Sequence, residues 1–355
     1  MSLTLTVDGE RWRRHLRDVA AARPGLVPVA KGNGYGFGLG RLARKTQWLA
    51  EHPPEGGTGP DTLAVGTYPE LAEVAQRFAG DLLVLTPWRP FTPALDPALA
   101  RRVVHTVSRP EDLAGLLDRE PGARFVLERL TSMRRHGLTA AELREVAASA
   151  PARQLAGVAL HLPLGDGSQL EEVQRLMVDV VAAGLEHSTV WVSHLGTDEL
   201  AALRSAYPAT AFRPRVGTAL WLGDRDALRA TATVLDVHRV TRGERYGYRG
   251  RRAPRAGHLL VVSGGTAHGI GLVAPTGDLS LRARAASVAR GGLDAAGLAR
   301  SPFLVAGRQA MFAEPPHMQA SMLFLPDSAA APAVGDQLEV RVRFTATAFD
   351  AVEIV

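Results

Sequence analysis

Only two of the 41 basic residues in this 355-residue chain are lysines, Lys31 and Lys45. Arginine keeps its charge under ordinary conditions, so chemistry that needs a deprotonatable amine is confined to those two positions. Lys31 ends the apolar run Val27-Pro28-Val29-Ala30-Lys31 and is followed by Gly32-Asn33-Gly34-Tyr35-Gly36-Phe37-Gly38. A lysine at the C-terminal end of a barrel strand lies on the face where such barrels keep their active sites. Partial removal from water there lowers its pKa and favours the neutral amine that an imine requires. The glycines let backbone approach a bound group closely, and Tyr35 offers a hydroxyl to a phosphate. From the residues alone, a surface lysine in a Gly-rich loop is an equal reading.

The elements that must position Lys31 follow from periodicity. Short apolar runs recur at Leu26 to Ala30, Thr62 to Val65, Leu82 to Leu85, Val103 to Val107, Phe125 to Leu127, Gly157 to Leu160, Thr189 to Val192 and Thr218 to Trp221. Helix-like stretches such as Glu70 to Phe78, Ala140 to Ala148, Leu170 to Ala183 and Asp198 to Ala206 lie between them. Eight strands alternating with helices predict an α/β fold, a (β/α)₈ TIM-like barrel, with a doubly wound sheet as the alternative. From about Thr233 the texture becomes β-rich: Val234 to Val240, His258 to Ser263, Leu279 to Ser287, Met322 to Leu325 and Leu338 to Phe344 are separated by Gly, Pro and Asp turns. The opening Leu3-Thr4-Leu5-Thr6-Val7 alternates like a further strand of that part. The expected division is a barrel over 8–230 and an all-β domain over 231–355 together with 1–7.

Composition narrows the function classes. The chain has no cysteine, which removes disulfides, thiolate metal sites and cysteine nucleophiles, and no metal site is expected. Net charge is +5 and the pI near 10. The charges are interspersed, and the densest basic run, Tyr248 to Arg255, is short, which argues against a nucleic-acid partner. No window is long and apolar enough to span a bilayer, and the start lacks a signal-peptide pattern, so a soluble, unprocessed, cytoplasmic protein is expected.

The Lys31 segment resembles the cofactor-lysine motif of the alanine racemase family: an apolar strand, a lysine, a small-residue stretch and Tyr-Gly-x-Gly. Ser132-Met133-Arg134-Arg135-His136-Gly137, the strand-ending His161 and Arg213-Pro214-Arg215-Val216-Gly217-Thr218-Ala219-Leu220-Trp221 are similar to further family segments in the same order. The resemblance implies fold-type III architecture, pyridoxal 5'-phosphate as cofactor and Lys31 as its Schiff-base lysine. It implies that Arg135 contacts the cofactor phenolic oxygen and the substrate carboxylate, that His161 packs near the pyridine ring, and that Arg215 faces the ring nitrogen. There a permanent cation keeps the nitrogen unprotonated and favours proton shuffling over transamination. Tyr35, Gly217, Thr218 and Ser193 or Thr197 would supply phosphate donors, although Ser and Thr serve equally as helix N-caps. The family further implies a homodimer with shared active sites.

The resemblance breaks at the second base that racemisation requires. Thr266, in Val262-Ser263-Gly264-Gly265-Thr266-Ala267-His268-Gly269, stands where the family has a tyrosine. A threonine hydroxyl is too weak an acid for that role, and His268, Tyr246 and Tyr248 remain as candidates. Glu128 replaces a carbamylated lysine and offers a carboxylate to Arg135; Gln319 and Phe349 replace an Asp and a phosphate-binding Tyr. Three readings follow. The first is an amino-acid racemase whose Lys31 serves one face and an atypical group, His268 foremost, the other. The second is a one-base enzyme on the same scaffold, eliminating or decarboxylating. The third is a catalytically weak, regulatory homologue. A barrel hydrolase using Glu128 and Asp166 would need no lysine adduct.

Overall fold

The computed structural model describes residues 2–165, 168–272 and 299–355. Strand β1 (Leu3–Val7) and helix α1 (Gly9–Ala21) open the chain. Eight strands follow: β2 (Val27–Ala30), β3 (Thr62–Val65), β4 (Asp81–Val84), β5 (Val103–Val107), β6 (Arg124–Arg129), β7 (Leu155–Leu160), β8 (Thr189–Ser193) and β9 (Ala211–Val216). They pair in chain order, all parallel, and β9 returns to β2 in the register Val27 to Arg215, which closes the barrel. Residue contacts divide the chain into two units. One comprises Arg13–Gly34 and Gly38–Gly223; the other comprises Met1–Trp12, Tyr35–Phe37 and Asp224–Val355.

The barrel lumen is filled by alternate residues of successive strands: Val27 and Val29, Ala64, Leu83, Val104, Val126, Ala159 and Trp191. Such a layered lumen is a packed core rather than a pore. The opposite faces of the strands meet helices with an apolar side, among them α2 (Leu39–Glu51), α3 (Leu71–Ala75), α5 (Pro110–Arg119), α6 (Ala140–Ser149), α7 (Leu170–Ala182) and α8 (Thr197–Ala206), whereas the single turn α4 (Pro97–Ala100) buries none of its residues. Helix α6 starts at a reciprocal cap: Thr139 Oγ1 accepts the Glu142 N–H at 3.3 Å and Glu142 Oε2 accepts the Thr139 N–H at 2.7 Å.

The expected eighth strand, Thr218 to Trp221, is the short helix α9 (Thr218–Trp221), and β9 precedes it. Arg213, Pro214 and Arg215 disguised β9 as a polar turn. Inside the barrel Arg213 lies over the Trp191 ring at 4.5 Å and pairs with Asp61. Trp221 donates from Nε1 to Val29 O at 2.7 Å and so fastens α9 to β2.

The other unit is an antiparallel β structure. Its strands are β10 (Leu228–Val240), the hairpin β11 (Arg245–Tyr246) and β12 (Arg251–Arg252), β13 (Gly257–Ser263), β14 (Arg300–Val305), β15 (Arg308–Phe312), β16 (Ala320–Pro326), β17 (Gln337–Val340) and β18 (Ala351–Ile354). The sheet order β13-β16-β15-β14-β17-β10-β1-β18, with β10 also pairing β13, closes six strands on themselves and leaves β1 and β18 as an extension. As the alternation in Leu3 to Val7 suggested, β1 joins this sheet, antiparallel to β10 and parallel to β18. Leu3, Val234, Leu260, Val262, Phe303 and Leu323 lie in its core. The run Leu338 to Phe344 pairs only as far as Val340. The run Leu279 to Ser287 lies outside the described residues, as does Asp166. Among the described residues no helix is long and apolar enough to cross a membrane.

Candidate active site

Strand alternation builds the site directly on the lumen layer. Side chains two residues apart share a face, so the residues following Val29, Ala64, Leu83, Val126, Ala159 and Trp191 on that face are Lys31, Gly66, Leu85, Glu128, His161 and Ser193. All but Ser193 line a cavity of about 170 Å³ at the C-terminal mouth of the barrel. Arg215, on the lumen face of β9, and Arg135 and His136, from the loop after β6, complete its polar wall.

The residue Lys31 is exposed to solvent as a whole. Its ammonium is nonetheless partly enclosed by its neighbours, which lowers its pKa; Arg135 and Arg215 lower it further and Glu70 opposes them. The turn after it requires glycine: Gly34 has φ 62°, and a Cβ there would meet Leu39 N at 2.8 Å. Glu70 Oε1 accepts the Gly32 N–H at 2.8 Å, and Glu70 Oε2 accepts the Gly66 N–H at 2.7 Å.

Arg215 is only 7% exposed. It donates from Nη2 to Leu160 O at 2.9 Å, while its Nε is buried with no hydrogen-bond partner. Burial lowers its pKa to about 10, against the pull of Glu128. Glu128 Oε2 is likewise buried without a hydrogen-bond partner. Desolvation pushes the Glu128 carboxyl up, while the charges of Arg215, Arg135 and Arg89 act through space in the opposite direction. Arg135 itself is exposed at the mouth.

His161 is oriented by Ser193. Ser193 Oγ accepts the Leu162 N–H at 3.1 Å and lies 3.2 Å from His161 Nδ1, within hydrogen-bond reach. Burial and the charges of Arg215 and Arg135 lower the His161 pKa to about 3, so the ring is neutral near neutral pH. His194 packs edge-on against it at 5.5 Å from a left-handed backbone, φ 59°. Tyr35 and Arg134 are left-handed too, at φ 55° and 52°. Such strain persists where surrounding structure enforces it, commonly at functional loops.

The expected phosphate donors separate. Ser193 is buried, with its hydroxyl engaged by Leu162 and His161. Thr197 opens α8, where Glu199 already accepts the Gly196, Gln169 and Ser168 donors at 2.7 Å. A carboxylate in that place disfavours a second anion. Gly217 and Thr218 open α9, where the first N–H groups have no partner within the helix. Tyr35 belongs by contacts to the other unit; its ring is buried, which raises its phenol pKa to about 12. Within that unit Gly36 packs against Phe349, whose ring would lie 2.9 Å from a Cβ at Gly36.

Thr266 and His268 also lie in the β unit, on a single turn of 3₁₀ helix. Thr266 is exposed and borders a depression of about 800 Å³ with Tyr248, His317, Met318 and Gln319. His268 is buried: Nδ1 accepts the Gly265 N–H at 3.1 Å, and Nε2 lies 3.0 Å from Asp350 Oδ1. Both nitrogens thus have partners that hold this turn. Tyr246 donates to Ala313 O at 3.1 Å, whereas Tyr248 is exposed beside the His317 ring at 4.7 Å. Sequence reasoning missed His136, Gly66 and Glu70. The first two were legible from position in the Arg135 loop and from strand alternation; Thr67-Tyr68-Pro69-Glu70 marks Glu70 as a local cap but not as a partner of the Lys31 turn.

Against known proteins, the family described as "Alanine racemase, N-terminal domain" matches residues 7–224. No curated protein matches the chain in sequence. The alanine racemase of Bartonella henselae, solved with covalently bound pyridoxal phosphate, superposes with TM-score 0.70 at 17% identity, covering 100% of this chain and 99% of that one. That of a D-cycloserine-producing Streptomyces lavendulae gives 0.69 at 18%, covering 100% and 97%. The biosynthetic alanine racemase of Pseudomonas aeruginosa gives 0.65 at 22%, covering 97% and 91%. With the parallel barrel and the antiparallel β unit, these matches show that the chain belongs to the alanine racemase family and has its fold.

Proposed function

We propose that this protein is a pyridoxal-phosphate-dependent enzyme acting at the Cα of amino acids, an amino-acid racemase built on Lys31. The observation that carries the reading is the buried, unpartnered Nε of Arg215 in the cavity that also holds Lys31. A buried donor without a partner is costly unless a ligand supplies one, and a pyridine nitrogen is an acceptor of the right kind. The remaining residues fit the same group: Lys31 offers the amine, Gly217 and Thr218 offer N–H and hydroxyl donors for the phosphate, and His161 offers a neutral ring.

When bound, pyridoxal phosphate supplies the electron sink that acidifies the substrate Cα–H. Lys31 Nζ holds the cofactor and moves the proton on one face; its lowered pKa makes the neutral amine accessible. Arg215 restrains the ring by keeping its nitrogen unprotonated. Arg135 receives the substrate carboxylate at the mouth. Ser193 acts through His161, whose orientation it fixes. Glu128 brings a carboxyl group to the wall that Arg215 and Arg135 face.

The engagement of both His268 nitrogens, together with the weak acidity of Thr266, favours a second reading on the same scaffold: one-base elimination or decarboxylation. Both readings place the protein in the cytoplasm as a homodimer acting on free amino acids. The test is incubation with pyridoxal phosphate, borohydride reduction and peptide mass spectrometry. The pyridoxyl group is expected on Lys31. Lys45 is an internal control, since its pKa is also lowered by burial while it lies over the Trp48 ring at 4.8 Å. Label on Lys45 alone, or none, contradicts the proposal.

A further inference from the structure

The turn that carries Lys31 is fastened by a carboxylate from a different strand connection. Glu70 closes the 3₁₀ turn Tyr68–Glu70 after β3. Its Oε1 takes the N–H of Gly32, the residue immediately after Lys31, at 2.8 Å. Its Oε2 takes the N–H groups of Gly66 and Thr67 at 2.7 and 3.1 Å. One side chain therefore joins the ends of β2 and β3 through three charge-assisted bonds, each of the stronger class. The approach is close: a Cβ at Gly66 would stand 2.9 Å from Lys31 Cβ and 3.0 Å from Glu70 Oε2.

The turn is anchored from the opposite side as well. Tyr68 is buried, and its hydroxyl lies 3.0 Å from Nδ1 of His105 on β5. His105 is 1% exposed, with Nε2 3.6 Å from Glu120. Glu70 thus projects from a backbone fixed in the barrel wall, which is the support that a precisely placed side chain needs. Lys31 faces the cationic Arg135 and Arg215 across the cavity, with Glu128, His136 and His161 in its walls; Glu70 is the carboxylate whose charge acts on the amine in the opposite sense to the arginines.

We propose that Glu70 is a positioning residue for Lys31: it fixes the turn that aims the amine and supplies the counter-charge to Arg135 and Arg215. The inference rests on the reading of Lys31 as the cofactor lysine and adds the device that sets its geometry and reactivity. Removing the negative charge while keeping the side-chain shape lets the arginines act unopposed, so the ammonium loses its proton at lower pH.

The test is competitive acetylation of the full-length protein with acetic anhydride across pH 6–11, read by peptide mass spectrometry at Lys31 with Lys45 as internal reference, together with a parallel pyridoxal phosphate and borohydride arm. In Glu70→Gln the acetylation midpoint of Lys31 is expected to fall by about half a unit to one unit, the low end of the range for a neighbouring charge at a part-exposed site. The Lys45 midpoint stays where it is. Glu70→Asp keeps the charge on a shorter stem; its midpoint is expected near the wild-type value, with several-fold slower pyridoxyl fixation because the Gly32 bond is lost. A Lys31 midpoint unchanged in Glu70→Gln overturns the proposal. Should that variant not fold, a Glu70→Asp protein that fixes the pyridoxyl group at the wild-type rate overturns it instead. A shifted midpoint with no pyridoxyl adduct in any form supports the contact between Glu70 and Lys31 and overturns the cofactor reading alone.

Discussion

Arg215 carries the functional argument at the scale of single residues, because an unpartnered guanidinium nitrogen in a barrel wall has no structural use. A charge-assisted hydrogen bond is worth roughly 1.5–3 kcal/mol. Arg215→Gln is therefore expected to weaken pyridoxal phosphate binding about tenfold to a hundredfold in a fluorescence titration. Unaltered affinity would place the cofactor elsewhere. His161 and His105 give a pH prediction. Burial lowers His105 from its ordinary 6.5 to about 4, and His161 falls to about 3. Above pH 6.5 neither the folded nor the unfolded chain protonates these rings, so they leave stability unchanged. As pH falls below 6.5 the unfolded chain binds protons that the native state refuses, and stability declines until the folded values are passed. For His105 the loss by pH 4.5 is on the order of 2–3 kcal/mol. Urea titrations at pH 7 and 4.5 should show it, and His105→Gln should flatten the difference. Lys31, Arg135, His161 and Arg215 were legible in the sequence because their neighbours form recognisable segments, and the structure brings these four into one cavity. The tie from Glu70 to the Lys31 turn was not legible: Thr67-Tyr68-Pro69-Glu70 reads as a local cap, while the Gly32 donor is a backbone N–H 38 residues away and leaves no side-chain signature.

At the scale of elements, seven of the eight barrel strands showed as apolar runs because the lumen and the helix layer bury both of their faces. The eighth broke the pattern because of two arginines. β9 carries Arg215 on its lumen face, and Arg213 below it serves Trp191 and Asp61, so the strand reads as polar. The adjacent apolar Thr218–Trp221 imitated a strand while folding as the helix that Trp221 pins to Val29 O. In β7, Gly157 adopts φ 126°, and a Cβ there would overlap Thr189 O in β8. Gly157→Ala is expected to cost at least about 2 kcal/mol, from strain and a displaced ladder together. The cap of α6 is a milder case: Thr139→Ala should cost about 1 kcal/mol, with Glu142 left without its reciprocal partner. Thermal melts rank the two, and a Gly157→Ala protein as stable as wild type would contradict the register between β7 and β8.

At the scale of the whole molecule, the division into a barrel and a β unit was legible from the change of texture, and the return of the first strand to the C-terminal sheet from its alternation. The hairpin of β14 and β15 and the strand β18 were not, because their alternation is broken by polar residues such as Arg308, Gln309 and Glu353. The proposed homodimer predicts a sedimenting species of twice the 37.8 kDa of one chain, and a monomer at micromolar concentration would remove shared active sites from the account. The central claim, chemistry at an amino-acid Cα driven from Lys31, is tested most directly by proton NMR of alanine, serine and larger amino acids in D₂O with the protein and pyridoxal phosphate. The account predicts loss of the Cα–H signal for at least one amino acid, abolished in Lys31→Ala, with both enantiomers accumulating if a racemase and one alone if a one-base enzyme. Retention of every Cα–H signal, with the substrates otherwise unchanged, would contradict it.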